Sequence, residues 1–173
     1  MIAIAFVFIA SFLRHAQAQF SERHFVSRTF SPRARDSASI EGRAHIIDGD
    51  SIVISAVMIR LLGIDAPELR QFCGTEKSRY PCGLEAKEYL KQLIADQPVT
   101  CYWNKKDKYD RILAICKTKK IKNINAVMVN DGWAVSYYDY PIEEQEAREQ
   151  KRGMWRSSFQ RPRNWRKAHQ RKE

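Results

Sequence analysis

Asp48-Gly49-Asp50-Ser51-Ile52-Val53-Ile54-Ser55-Ala56-Val57-Met58-Ile59-Arg60-Leu61-Leu62-Gly63-Ile64-Asp65-Ala66-Pro67-Glu68 is the stretch around which this chain is built. Asp48-Gly49 is a hairpin-turn signal. Residues 51–55 read as a strand with Ile52 and Ile54 on one face. A tight turn near Ser55-Ala56 leads into a second run, 57–64, and Pro67, which has no N–H to donate, stops the pairing. The apolar residues make a frame, and carboxylates and an arginine stand at its ends. Acidic oxygens gathered at strand ends suit a hard cation. An arginine fork beside them suits a phosphate.

The strand ending at Asp65 returns beside the strand starting at Asp50, so both carboxylates can reach one cation, with a backbone carbonyl as a third oxygen ligand. Glu68 then lies near that cation without binding it, where a general base for water would stand. Simpler readings compete. Arg60 inside an apolar strand needs a partner or an open face, and a structural ion pair with Asp65 supplies one. Asp-Gly and Asp-Ala-Pro-Glu are also ordinary turn sequences.

Outward from this stretch, residues 43–47 form the first strand of the folded domain. A polar loop, 69–81, carries Arg70, Lys77 and Arg79. Residues 83–96 have helical spacing, with Leu84, Tyr89, Leu90, Leu93 and Ile94 able to share a face. Strands at 98–103 and 111–117 flank a polar loop. Within it, Asp107-Lys108-Tyr109-Asp110-Arg111 brings cations and a phenol to a hairpin tip; a merely solvated tip is the competing reading. A short helix at 123–130 ends before Gly132, residues 133–140 are extended and aromatic, and 141–152 form a charged helix with Pro at its start and Gly153 past its end. Met154 and Trp155 fold back as an apolar anchor. The elements define an α+β chain whose β portion can close as a small barrel.

The chain has 173 residues and a formal net charge of +10, which suits an anionic partner such as nucleic acid. Residues 2–13 are apolar but too short to span a bilayer comfortably, and Ala16-Gln17-Ala18 follows as a cleavage site. The expectation is a signal peptide over 1–18, cut after Ala18, and a secreted or periplasmic product. Retention as an anchor is the alternative, since no Lys or Arg precedes the apolar run. Residues 19–41, rich in Ser and Arg, read as a basic flexible linker, 42–158 as the folded domain and 159–173 as a basic tail with Trp165 embedded. Cys73, Cys82, Cys101 and Cys116 are an even set in an exported chain, which argues for disulfides rather than zinc. Of the three pairings, sequence order favours Cys73–Cys82 and Cys101–Cys116.

Asp-Gly-Asp-Ser, then Arg-Leu-Leu-Gly-Ile-Asp-Ala-Pro-Glu, then Asp-Lys-Tyr-Asp-Arg, in this order, resembles the thermonuclease (staphylococcal nuclease-like) family, over about residues 43–156. Asn125, Gly132-Trp133-Ala134, Tyr138, Tyr140 and Gly153-Met154-Trp155 fit the same pattern, and the cysteines look like those of the exported, disulfide-bearing bacterial branch. The resemblance implies an OB-type five-stranded β-barrel with three helices. It implies Ca2+ held by Asp50, Asp65 and the backbone carbonyl of Ala66, with Asp48 as acidic support behind them. Glu68 matches the general base, Arg60 and Arg111 the two arginines on the scissile phosphate, Lys108 and Tyr109 flanking phosphate contacts, and Tyr138 an aromatic that packs on a base. The implied activity is endonucleolytic hydrolysis of DNA or RNA, single- or double-stranded, at the 5′ P–O bond to leave 3′-phosphates. No obligate protein partner is evident, and a monomer is expected.

This chain departs from the family pattern in places. Ser51 stands where Thr is frequent. Asp110 replaces the usual Gly; Asp tolerates a left-handed backbone, but its charge would compete with phosphate for Arg111. Loop 69–81 has its own sequence, and the Arg-rich tail matches no role in the family. Joint retention of Asp50, Arg60, Asp65, Glu68 and Arg111 separates the nuclease reading from its alternative, a non-catalytic OB-fold nucleic-acid-binding module. A basic envelope protein explains the charge but not the ordered motifs.

Overall fold

The computed structural model describes residues 38–169. The expected leader, 1–18, and most of the expected linker lie outside the described residues. β2 (His45–Ile46), β3 (Ser51–Ile54) and β4 (Val57–Leu61) form an antiparallel meander. Ser55 and Ala56 turn the chain between β3 and β4 with φ of 47° and 65°, the left-handed pair that a two-residue hairpin requires. β6 (Val99–Lys106) and β7 (Ile112–Lys117) form a second hairpin, and β4 runs parallel to β7. With β1 (Ala38–Gly42) on the far edge, the sheet order is β1-β6-β7-β4-β3-β2. The sheet curls: a Cβ on Gly42, at the end of β1, would stand 2.9 Å from Ile54 Cγ2 on β3.

The fold is α+β and of OB type. The five strands read from the sequence are β2, β3, β4 with its continuation β5 (Ile64–Asp65), β6 and β7. Gly63, at φ +78°, separates β5 from β4, and β5 pairs with β8 (Val135–Ser136) as a separate small sheet. Residues 38–41 correct the linker boundary. They are paired along β6 as β1, with Ile40 packed on the core, so their backbone groups find partners despite a polar sequence.

Ile52, Ile54, Ile59 and Leu61 meet α1 (Cys82–Ile94) and α2 (Ile124–Asn130) in the main core. Ala86, Leu90 and Ile94 line the buried face of α1 at four-residue spacing. Leu84, expected on that face, is 50 % exposed. It lies two residues from Ala86, on the opposite side of the helix. The Asn123 side chain caps α2 by accepting from the Ala126 N–H at 3.0 Å. Buried Asn125 fastens three backbones. Its Nδ2 donates to Leu62 O (2.9 Å) and Ala114 O (3.0 Å), and its Oδ1 accepts from the Cys116 N–H (3.1 Å). α3 (Pro141–Glu149) and a 3₁₀ turn (Gly153–Arg156) follow, the turn bringing Met154 into a second core with Cys73, Cys82 and Val135.

The structure pairs Cys73 with Cys82 and Cys101 with Cys116. Both bridges are buried, and they fit a chain matured in an oxidising compartment. Among the described residues no helix is long and apolar enough to cross a membrane.

The basic tail also needs correction. A fourth helix, α4 (Pro162–His169), follows the 3₁₀ turn. Its leading segment is tied down: Gln71 Nε2 donates to Gln160 O (2.6 Å), Arg161 grips buried Glu144 (2.8 Å), and Pro162 is buried. Arg161, Arg163, Arg166 and Lys167 make this segment read as a basic tail, because its apolar periodicity is too sparse to announce packing.

Candidate active site

Pairing of β3 with β4 sets Ser51 opposite Arg60, which brings Asp50 beside the arginine side chain. Arg60 Nη1 donates to Asp50 Oδ1 at 2.7 Å, and Nη2 donates to Asp65 Oδ1 at 2.9 Å. Asp50 and Asp65 are almost fully buried. Asp50 Oδ1 also accepts from Ser51 Oγ (3.0 Å), and Oδ2 accepts from the Ala66 N–H (2.9 Å), so Asp50 is locked against the peptide that joins Asp65 to Ala66. Asp48 stands behind this pair, its Oδ1 accepting from the Asp50 N–H at 2.9 Å. Gly49 permits the packing, since a Cβ there would fall 2.7 Å from Ala66 Cβ.

These contacts set the charge states. Burial pushes the Asp50 carboxyl up to about 7, against the pull of Arg60. Burial works against the Arg60 charge, and Asp50 and Asp65 more than offset it, so its pKa is raised.

Glu68 is positioned by its backbone. Its N–H donates to Gln71 Oε1 (3.3 Å), its carbonyl accepts from the Gln71 N–H (2.7 Å), and the start of α1 presses against it. A Cβ on Gly83 would lie 1.8 Å from Glu68 O, so only glycine admits this approach. The Cys73–Cys82 bridge holds the same corner. Buried Gln71 and Gly83 were not singled out by motif or charge.

One cleft, of about 920 Å³, is lined by Asp48, Arg60, Asp65, Glu68, Lys108, Tyr109, Arg111 and Tyr138 among others. Asp50 and Ala66 lie in its buried wall through the contacts above. Tyr138 (81 % exposed) and Tyr109 (68 %) are exposed at the surface, and Lys108 Nζ lies 4.9 Å from the Tyr109 ring centre. Arg111 is oriented by Asp107, whose Oδ2 takes Nε at 2.8 Å and Nη2 at 2.7 Å. Desolvation opposes the Asp107 charge, but hydrogen bonds from the Arg111 side chain and from the Tyr109 and Arg111 N–H groups hold its carboxyl below the usual range. Asp110 adopts φ +61° and pairs with Lys106 at 2.8 Å. Asp107, rather than Asp110, is the carboxylate hydrogen-bonded to the Arg111 guanidinium.

Residues 58–157 match the family described as Staphylococcal nuclease homologue. The chain belongs to that family. It is 36 % identical over 129 residues to an uncharacterized endonuclease of Escherichia coli, covering 68 % of this chain and 78 % of the relative. It is 33 % identical over 144 residues to a micrococcal nuclease of Shigella flexneri, covering 71 % and 78 % respectively. It is also 32 % identical over 125 residues to the succinoglycan biosynthesis protein ExoI of Rhizobium meliloti, covering 68 % and 65 %.

Asp50, Asp65 and the Ala66 carbonyl offer only hard oxygen donors, which fit Ca2+ or a similar cation with water completing its shell. Among the described residues no three His, Cys, Asp or Glu side chains converge as a metal cluster. A residue unforeseen from the sequence also reaches the site: Arg166 of α4 donates from Nη1 to Asp65 Oδ1 (2.9 Å) and Glu68 Oε1 (2.8 Å), and from Nη2 to Asp65 Oδ2 (3.2 Å). Arg163 lines the same cleft.

Proposed function

We propose that this chain, a nuclease by family, is an exported, monomeric, calcium-dependent endonuclease that breaks the 5′ P–O bond of DNA or RNA and leaves 3′-phosphates. The carrying observation is the Asp50–Arg60–Asp65 bridge in a cleft that also holds Glu68 and Arg111.

In this reading Asp50, Asp65 and the Ala66 carbonyl would hold Ca2+, which would supply positive charge to offset that of the phosphate as it grows in the transition state. Glu68 takes a proton from the attacking water, whose oxygen bonds to phosphorus as the bond to the 5′ oxygen breaks. Arg60 contributes one N–H from each terminal nitrogen to the carboxylates and keeps others for a phosphate oxygen. Arg111, aimed by Asp107, contacts the phosphate alongside it, and two planar forks fix the group for in-line attack. Lys108 and Tyr109 flank the strand, and Tyr138 stacks on a base, a contact indifferent to base identity. Disulfides and net charge support export and a polyanionic substrate.

The test incubates the purified chain with end-labelled single-stranded DNA, in calcium or in chelator. The expected result is cleavage in calcium only, with fragments ending in 3′-phosphate. Fragments ending in 3′-hydroxyl, or cleavage unaffected by chelator, would refute this function.

A further inference from the structure

We propose that α4 is an intramolecular latch, in which Arg166 and the cation compete for Asp65, so that cation binding releases the helix. This deepens the nuclease reading above and rests on it.

Arg166 engages both oxygens of Asp65, a carboxylate only 2 % exposed, and bridges from there to Glu68. Asp65 Oδ1 already accepts from Arg60, so two guanidinium groups converge on one oxygen atom. A hard cation bound to Asp65 must draw on the same lone pairs, and it would place further positive charge beside two arginines. Arg60 and Arg166 together take up Oδ1, so the Arg166 guanidinium and the cation weaken one another's hold on Asp65, whereas Arg60 alone leaves room for the cation. Arg166 also pairs with Oε1 of Glu68, one of the two oxygens of the proposed base.

The helix is built to leave without unfolding the domain. Its root is fastened by Gln71 on Gln160 O, by Arg161 on Glu144 and by buried Pro162. Beyond that root, Arg163, Asn164, Lys167, Ala168 and His169 are exposed. Arg166 makes the ion pairs that hold the helix to the carboxylates, and Trp165 stacks on His169 of the same helix. Movement about residues 161–162 would withdraw the guanidinium and leave the core intact. Competition of this kind is reciprocal: the latch weakens cation binding by the factor by which the cation weakens the latch.

The test measures Ca2+ affinity calorimetrically for the full chain and for Arg166→Ala and Arg166→Gln, and amide hydrogen exchange over residues 162–169 with and without Ca2+. Both variants should bind Ca2+ about tenfold more tightly than the native chain, within the usual range of coupling factors. Exchange over 162–169 in the native chain should accelerate on adding Ca2+. Unchanged or weaker affinity in the variants, or unchanged exchange, overturns the latch. If all three proteins bind Ca2+ equally and cleave DNA with it, the latch is wrong and the nuclease reading stands. If none binds Ca2+, both the latch and the calcium dependence fall.

Discussion

The Arg111 guanidinium is held by Asp107, which takes both Nε and Nη2 on a single carboxylate oxygen, Oδ2. Asp110 is the nearer carboxylate in sequence, but its left-handed backbone sends its carboxyl to Lys106 instead. Asp107→Asn should therefore lower kcat/KM about tenfold by loosening a phosphate contact. Asp110→Gly should leave kcat/KM within twofold. The glycine relieves a left-handed residue, worth roughly 1 kcal/mol, and loses an exposed ion pair worth about 0–1 kcal/mol, so the melting temperature should hold or rise slightly. Steady-state kinetics and thermal melts of the two variants check this. A larger kinetic loss for Asp110→Gly would contradict it.

Gly83 is the second residue of α1, and alanine has the higher helix propensity. Here the new Cβ meets Glu68 O at 1.8 Å and Glu68 C at 2.6 Å, both backbone atoms. Gly83→Ala should lower the melting temperature and, by displacing Glu68, lower kcat. A stabilised variant with native kcat would show that the approach of α1 to Glu68 does not matter.

The two disulfides should separate in their effects. Cys101–Cys116 joins β6 to β7 inside the main core, with a sequence separation of 15. Replacing both cysteines by alanine should cost roughly 3 kcal/mol of stability, with little change in kcat where the variant remains folded. Cys73–Cys82 pins the loop that carries Gln71 beneath Glu68. Its removal should reduce both the melting temperature and kcat. Chemical denaturation and activity assays on the two double variants distinguish these outcomes.

The strand pattern, α1 and the order of the cysteines could be read locally, because turn chemistry at Asp48-Gly49 and the alternation around Ile52 and Ile59 are short-range signals. The place of Leu84 is not legible in the sequence, because several apolar residues of α1 compete for the face and only packing against the sheet selects Ala86, Leu90 and Ile94. β1 escaped notice because Ile40 is its one large apolar residue, and its order comes from backbone pairing with β6. Asp50, Arg60, Asp65 and Glu68 stand close in sequence, so their convergence could be anticipated. Arg166 could not be: it is 101 residues from Asp65, and its position depends on side-chain contacts made by Gln71 and Glu144 to the segment before α4.

A proton would compete with the proposed cation for Asp50. Burial raises its carboxyl from 3.8 to about 7, so between those values the folded chain retains a proton that the unfolded chain has lost. Stability contributed by this group therefore falls as pH rises through that window. A cation needs the ionised carboxylate, so Ca2+ affinity should weaken as pH falls below about 7. Calorimetric titrations at pH 8 and pH 6 should show the weaker binding at pH 6, with proton release on binding; equal affinities would contradict the prediction.

Glu68 is the proposed base beside the Asp50–Arg60–Asp65 bridge. The most direct measurement is the single-turnover cleavage rate of Glu68→Gln on single-stranded DNA in saturating Ca2+, taken together with its DNA affinity. Loss of a general base should slow the rate at least about a hundredfold, while DNA affinity stays within a few-fold of the native chain. A rate near that of the native chain would contradict the assignment.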